Sequence, residues 1–224
     1  MLRDGRFRVL GALVVLLVLA AAAFGWRQSE AIQRERADAA TMARGHWEAQ
    51  GKKNPHVAAH YGVYVFKPTG TLSLLDPGVE PYLGVSVELQ AHTRALATDA
   101  AARDSTGIQR FGQLSVALVL MLLVPLLIIA LGFAAWTGER EGGTLRQLAS
   151  LGVGRWTLLV GKALGLTAAL TLLLLPAAAL VGGGLALTGA GGGSDGALRM
   201  GGFVLTYAVY FAIFGGLTLA ASAA

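Results

Sequence analysis

Residues 111 to 138 read FGQLSVALVLMLLVPLLIIALGFAAWTG, 28 positions without a single Asp, Glu, Lys, Arg or His. A bilayer's hydrocarbon core is about 30 Å thick and is crossed by about 20 apolar helical residues, so this stretch is long enough to span it. Pro125 in its middle interrupts the helical ladder, which membrane helices tolerate where neighbours satisfy the freed carbonyl. Three further stretches are free of charge, 9 to 26, 163 to 194 and 200 to 224, with 18, 32 and 25 residues. The four together hold 103 of the 224 residues, and only 14% of the chain is charged. Soluble domains average about 25% charged residues. The expectation is an all-α polytopic membrane protein with four spans, divided at 1–26, 111–138, 157–181 and 200–224.

The remaining residues fall between these spans. Residues 27 to 110 are polar and hold ten of the 18 Lys and Arg alongside nine acids. Residues 26 to 50 are rich in Ala, Glu, Gln and Arg, so the first span should continue as a helix until Gly51 stops it. Pro55, Pro68, Pro77 and Pro81 then surround the run Tyr61-Gly62-Val63-Tyr64-Val65-Phe66, which predicts short strands and turns. Val85 to Arg103 reads as a returning helix. The region is expected to be a small α+β cap on two helical stalks. The third span, Thr157 to Val181, contains Pro176 and should end in Gly182-Gly183-Gly184. Gly189 to Gly196 reads as a flexible linker within the outer loop 182–199.

Charge places these pieces. Arg3, Arg6 and Arg8 precede the first span, and Trp26 is positioned as an interfacial anchor. Counting short loops only, the N-terminus and the 139–162 connection carry seven Lys and Arg, against Arg199 alone in the 188–200 connection. Positive residues mark the cytoplasmic side. The N-terminus is therefore expected inside the cell, residues 27–110 outside, 139–156 inside and 182–199 outside. Small residues at Ala20 to Ala23 leave a cleaved signal peptide as the alternative for the first apolar stretch. Either way residue 27 onward leaves the cytoplasm.

Several chemistries are disfavoured. With no Cys, the sequence offers no disulfide, thiolate metal site or cysteine nucleophile. An intramembrane ionisable residue would be a functional candidate by default, and the four charge-free stretches hold none. Gly154 and Gly161-Lys162 resemble a phosphate loop only superficially, because six residues separate the glycines and Ala163 follows Lys162. No nucleic-acid stripe is present, and no catalytic, cofactor or metal residues are assigned. His46, His56, His60 and His92 all lie in the 27–110 region, with His56 and His60 spaced i and i+4. A lone HxxxH is a weak metal signal, and turn or packing roles are the ordinary reading of such residues.

The connection after residue 138 is the most informative. Thr144 with Gln147 three residues on is a capping-box pattern, and Gly152 is placed to end a helix over 145–151. Leu145, Leu148 and Ala149 would share one face, with Arg146, Gln147 and Ser150 elsewhere. So short a helix does not hold itself together in water and must pack on its own bundle or in a partner's groove.

Glu139-Arg140-Glu141, Gly143-Thr144-Leu145, Leu148 and Gly161-Lys162 resemble the loop between the second and third spans of ABC-2 type transporter permeases. That resemblance implies a coupling helix docking into a separate cytoplasmic ABC ATPase, with ATP bound at that partner and no enzymatic activity in this chain. A second permease copy or paralogue and the lipid bilayer are the other implied partners, in the inner (plasma) membrane. Trp47, Gln50-Gly51, Asn54-Pro55-His56, Ala58-Ala59-His60-Tyr61-Gly62, Lys67-Pro68, Asp76-Pro77-Gly78 and Ala91-His92 are similar to the subfamily with a DUF3526 region, related to multi-copper enzyme maturation permeases. The family commonly has Pro after the coupling helix, where this chain has Leu151-Gly152. It usually has six spans, so this chain resembles an N-terminal part. Two other functions suit the layout: a membrane-anchored extracytoplasmic sensor or mechanotransmitting protein, and a periplasmic metal-delivery or maturation factor using the histidines.

Overall fold

A computed structural model of the chain describes residues 5–93, 95–100, 103, 114–187 and 193–224. The first helix, α1 (Gly5–Glu48), runs 44 residues without interruption. At 1.5 Å per residue that is roughly 66 Å, about twice the hydrocarbon thickness. It ends where expected, with Gly51 in the left-handed region at φ 70°. By contacts the chain divides into two compact units, one of residues 1–22 with 116–224 and the other of residues 23–115, and α1 contributes to both.

The first unit is helical. It holds the first part of α1 with α3 (Val116–Gly132), α4 (Ala134–Glu141), α5 (Thr144–Ser150), α6 (Arg155–Leu187) and α7 (Gly193–Ala223). Among the described residues, four helices are long and apolar enough to cross a membrane: α1, the α3–α4 pair, α6 and α7. Val124 and Ile128 of α3 are completely buried, with Leu166 and Leu170 of α6 and Leu219 of α7 also in the core. The outward side chains are apolar as well, among them Leu122, Leu126, Leu164, Leu175, Leu205 and Leu217. A core of this kind wrapped in exposed leucine suits a hydrocarbon surrounding rather than water.

Two features hold α3 against α7. A Cβ placed on Gly132 would stand 2.7 Å from Cγ2 of Thr218, so only glycine permits this approach. Pro125 has no N–H, which frees the carbonyl four residues earlier on Met121. The Tyr210 hydroxyl of α7 donates to that carbonyl at 3.1 Å. A neighbouring helix thus supplies the missing donor, and α3 continues through the proline.

Two sequence expectations in this unit need correction. Gly182 to Gly184 do not end the third span, because α6 continues to Leu187. In hydrocarbon an opened helix leaves backbone groups without water, which outweighs glycine's weak helix propensity. Gly193 to Gly196 form the first turn of α7, where Asp195 pairs with Arg199 at 2.7 Å, so only the earlier part of the expected linker falls outside the described residues. Phe133 lies between α3 and α4, but its backbone is helical at φ −58° and ψ −35°, so Val116–Glu141 runs on as one candidate span, as the second apolar stretch predicts.

The second unit joins the later part of α1 to α2 (Pro55–Ala59), β1 (Val63–Phe66), a 3-10 turn at Glu80–Tyr82 and β2 (Ser86–Leu89). β1 and β2 pair antiparallel, Val63 opposite Leu89 and Phe66 opposite Ser86. The strand predicted in the run Tyr61–Phe66 is therefore present, whereas the helix predicted over Val85–Arg103 is not. Val85, Val87 and Leu89 alternate, and pairing with β1 overrides the helix propensity of the Ala- and Gln-containing residues that follow. Thr98 extends the sheet by bridging to Ser86. Residues 104–113, which would carry the end of a second stalk, lie outside the described residues.

Packing along α1 fixes this unit. A Cβ on Gly25 would lie 2.1 Å from the carbonyl oxygen of Leu74, so the Leu72–Asp76 turn rests directly on the helix backbone there. Three turns on, Arg36 donates to the Lys67 carbonyl at 2.8 Å and pairs with Glu80 at 3.4 Å, both side chains largely buried.

Candidate functional site

The 139–151 connection is built from short helices locked by glycine. Gly143 adopts φ 72° as the residue before α5, and Gly152 adopts φ 77° just after it. At the C-terminal end Gly152 N–H donates to Ala149 and Val153 N–H to Leu148, both at 3.1 Å. This paired pattern is the Schellman motif, and it confirms the stop read from Gly152. The N-terminal end differs from expectation. Gly143 is the cap residue and Thr144 is the first helical residue, its hydroxyl donating to the Glu139 carbonyl at 3.3 Å. The left-handed turn at Gly143 moves the helix start one residue earlier than a capping box with Thr144 requires.

The side chains of this connection divide by exposure. Leu145 and Leu148 are half-buried, as their shared spacing implied, and α5 packs against α4. Ala149, expected on the same face, is exposed. Leu151 is 77% exposed, the most open large apolar side chain of the connection. Glu141 and Arg146 are also exposed.

Below α5 the charged motif is anchored in the helical unit. Glu139 Oε1 meets Lys162 Nζ at 2.6 Å, and the same ammonium donates to the Ala135 carbonyl at 2.6 Å. The ammonium also stands 4.9 Å from the centroid of the Trp136 ring. The Lys162 and Glu139 side chains are only 14% and 32% exposed. The Trp136 backbone N–H donates to Ser222 Oγ at 2.9 Å, and the Arg140 guanidinium donates to the Ala223 carbonyl. Residues from α4, α6 and α7 are thereby tied together at one end of the bundle. The Gly161-Lys162 motif contains this lysine, but its pairing with Glu139 emerges only in the fold. Its signal is position: it is the last cation before a long apolar stretch, preceded by an acidic cluster.

The histidines separate into one and three. His46 lies exposed on α1. His56, His60 and His92 come together, their ring centroids 4.9, 5.5 and 5.4 Å apart. The fold does this in three steps. Asn54 caps α2 by accepting from His56 N–H at 2.9 Å, and Pro55 sits at the first helical position. The i, i+4 spacing then stacks His60 over His56. The β1–β2 ladder returns the chain so that Ala91 N–H donates to Ala59 at 2.9 Å, delivering His92 beside the pair.

A second polar cluster lies at the sheet. Asp99, at φ 61°, accepts from Ser86 Oγ and from Thr98 Oγ1, the latter at 3.0 Å. The Ser86 hydroxyl, then that of Thr98, hold the Asp99 carboxyl below the usual aspartate value. These contacts close the Thr98 bridge.

Four apolar helices with an apolar exterior define a helical membrane protein with several spans. Residues 1–224 match the family model described as ABC-2 family transporter protein, and the chain belongs to that family. It is thus a permease-type transmembrane component of ABC transport; such components are typically non-enzymatic and generally work with a cytoplasmic ATPase. No curated protein and no solved structure matches the chain.

Proposed function

We propose that this chain is the membrane-spanning permease subunit of an ATP-driven ABC-2 transporter, coupled through residues 139–151 to a separate ATPase subunit that binds the ATP. The observation that carries the reading is α5. Seven residues of helix do not persist alone in water, yet here the helix is stopped at each end by a left-handed glycine and seated on α4. It leaves Leu151 and Arg146 exposed, as a helix offered to a partner's groove should.

In this reading the roles divide along the loop. Glu139 and Arg140 brace it against Lys162 and the end of α7. Gly143 and Thr144 set its start, Leu145 and Leu148 seat it, and Leu151 docks. Glu141 faces the partner. The basic excess at the N-terminus and around the loop supports a cytoplasmic location for both. Residues 23–115 then form the extracytoplasmic unit, in the inner membrane of the cell, and a second copy or a paralogue completes the assembly. The motif around Asn54–Gly62 supports placing the chain in the DUF3526-type subfamily. Detergent co-purification of the full chain tests the coupling. A stoichiometric ABC ATPase should accompany it, and Leu151→Asp should weaken that association at least about tenfold at unchanged expression. Undiminished ATPase recovery and turnover with the variant would overturn the assignment of this loop.

A further inference from the structure

We propose that His56, His60 and His92 form a three-imidazole site for a divalent transition ion of the zinc type, with its fourth position open. The inference rests on the geometry of these residues and not on the transport reading. One ligand nitrogen from each of the three lies within 4.8 Å of the others, and all three residues are exposed. The Nε2 atoms of His56 and His60 stand 3.3 Å apart. Two nitrogens bound to tetrahedral zinc at 2.0–2.1 Å are separated by about 3.3 Å, so this edge of the site already has the required length. The third nitrogen needs only a modest closing movement, which solvent-exposed rings can make.

The backbone is committed to this arrangement. His92 adopts φ 63°, a left-handed conformation uncommon outside glycine, and its ring stands against both of the others. Gly62, also left-handed at φ 66°, turns the chain between α2 and β1 so that the ladder can bring His92 back. Three exposed imidazoles in mutual contact gain little by burial. One hydrogen bond can join the His56 and His60 nitrogens, but a shared cation accounts for the convergence of all three.

The donor set selects the ion. Among the described residues the cluster has neither carboxylate nor thiolate, which disfavours the hard oxygen-seeking ions calcium and magnesium. Imidazole suits zinc, cobalt(II), nickel and copper(II). Three protein ligands rather than four leave one position for water or for a donor from another molecule, unlike a closed structural site. The ion would also clamp α2 to the turn after β2, segments 32 residues apart at His60 and His92.

The test uses the full chain in detergent, purified through a tag without histidine. Zinc is titrated against a chromophoric chelator, and cobalt(II) absorption reports the ligand field. One ion per chain is expected, with a tetrahedral cobalt band and no competition from magnesium. His92→Asn keeps a residue tolerant of the left-handed conformation and should weaken zinc at least about tenfold, as should His56→Asn. His46→Asn should bind as the parent does. Circular dichroism and elution volume establish that the variants are folded. Absence of saturable binding overturns the proposal. Equal binding by His92→Asn overturns the three-imidazole site in favour of a His56–His60 pair, and loss with His46→Asn places the ion elsewhere.

Discussion

The Tyr210 hydroxyl donates at 3.1 Å to the Met121 carbonyl, the group that Pro125 leaves without its helical donor. The proline and the tyrosine are therefore one device spread over two helices. Tyr210→Phe should destabilise the helical unit by about 0.5–2 kcal/mol, the range for a polar contact between membrane helices. In a Pro125→Ala background the backbone N–H of residue 125 returns, and the same tyrosine change should cost much less. Thermal unfolding in detergent of the four proteins in the cycle measures the coupling. Equal costs in both backgrounds would sever the link.

Gly132 and Thr218 make a second contact between the same two helices. With Cγ2 of Thr218 only 2.7 Å from a Cβ on residue 132, Gly132→Ala should overpack the interface and cost about 1–3 kcal/mol. Thr218→Ser removes that methyl group while retaining the hydroxyl that donates to the Phe214 carbonyl at 2.7 Å. The double variant should therefore recover most of the loss, read from the same unfolding curves.

The Lys162–Glu139 pair predicts an asymmetry between single and double substitutions. Lys162→Met leaves a half-buried carboxylate without its cation and should cost about 1–3 kcal/mol. Lys162→Met combined with Glu139→Leu removes both charges and should be the less damaging change. Finding the double variant worse than the sum of the singles would show that the pair is not the unit of stabilisation.

Asp99 gives the sheet an acid-sensitive edge. Hydrogen bonds from Ser86 and Thr98 depress its folded value, so the stabilisation is present above the unfolded value and is lost as pH falls below the ordinary 3.8. Protection of the Thr98 amide, which donates to the Ser86 carbonyl at 2.9 Å, should fall in that acid range relative to the intrinsic exchange rate at each pH. Asp99→Asn, with a residue that accepts the φ of 61°, should exchange faster at neutral pH and respond less to acid.

The helices long and apolar enough to cross a membrane are legible because charge-free length is a direct readout of hydrocarbon thickness, and α1, the α3–α4 pair, α6 and α7 follow it. The strand over Val63–Phe66 was legible from its β-rich composition. Its partner was not, because Ser86–Leu89 is followed by Gln90, Ala91 and other helix-tolerant residues, and pairing is a non-local property. The same non-locality concealed the site geometry. His60 and His92 meet only through the hairpin register, and Glu139 meets Lys162 only because α6 packs beside α4. Glycine was read too literally in both directions: Gly182–Gly184 stay helical in an apolar setting, whereas Gly143 sets a helix start that Thr144 was expected to set.

Gly152 and Gly154 provide the sharpest test of how α5 is held. Both precede α6, but only Gly152 has positive φ, at 77°. Gly152→Ala should cost about 1–2 kcal/mol, since a Cβ in that conformation meets the following carbonyl. The loss falls on the last turn of α5, whose closing bonds run from the amides of residues 152 and 153. Amide exchange at Val153 should rise accordingly, while Gly154→Ala leaves it unchanged and Gly152→Asn, which tolerates the left-handed backbone, lies between. If the loop couples to an ATPase, the order of these three variants in exchange should recur as their order in ATPase recovery. A matching exchange series with unaltered recovery would leave the cap intact as a structural device and detach it from docking.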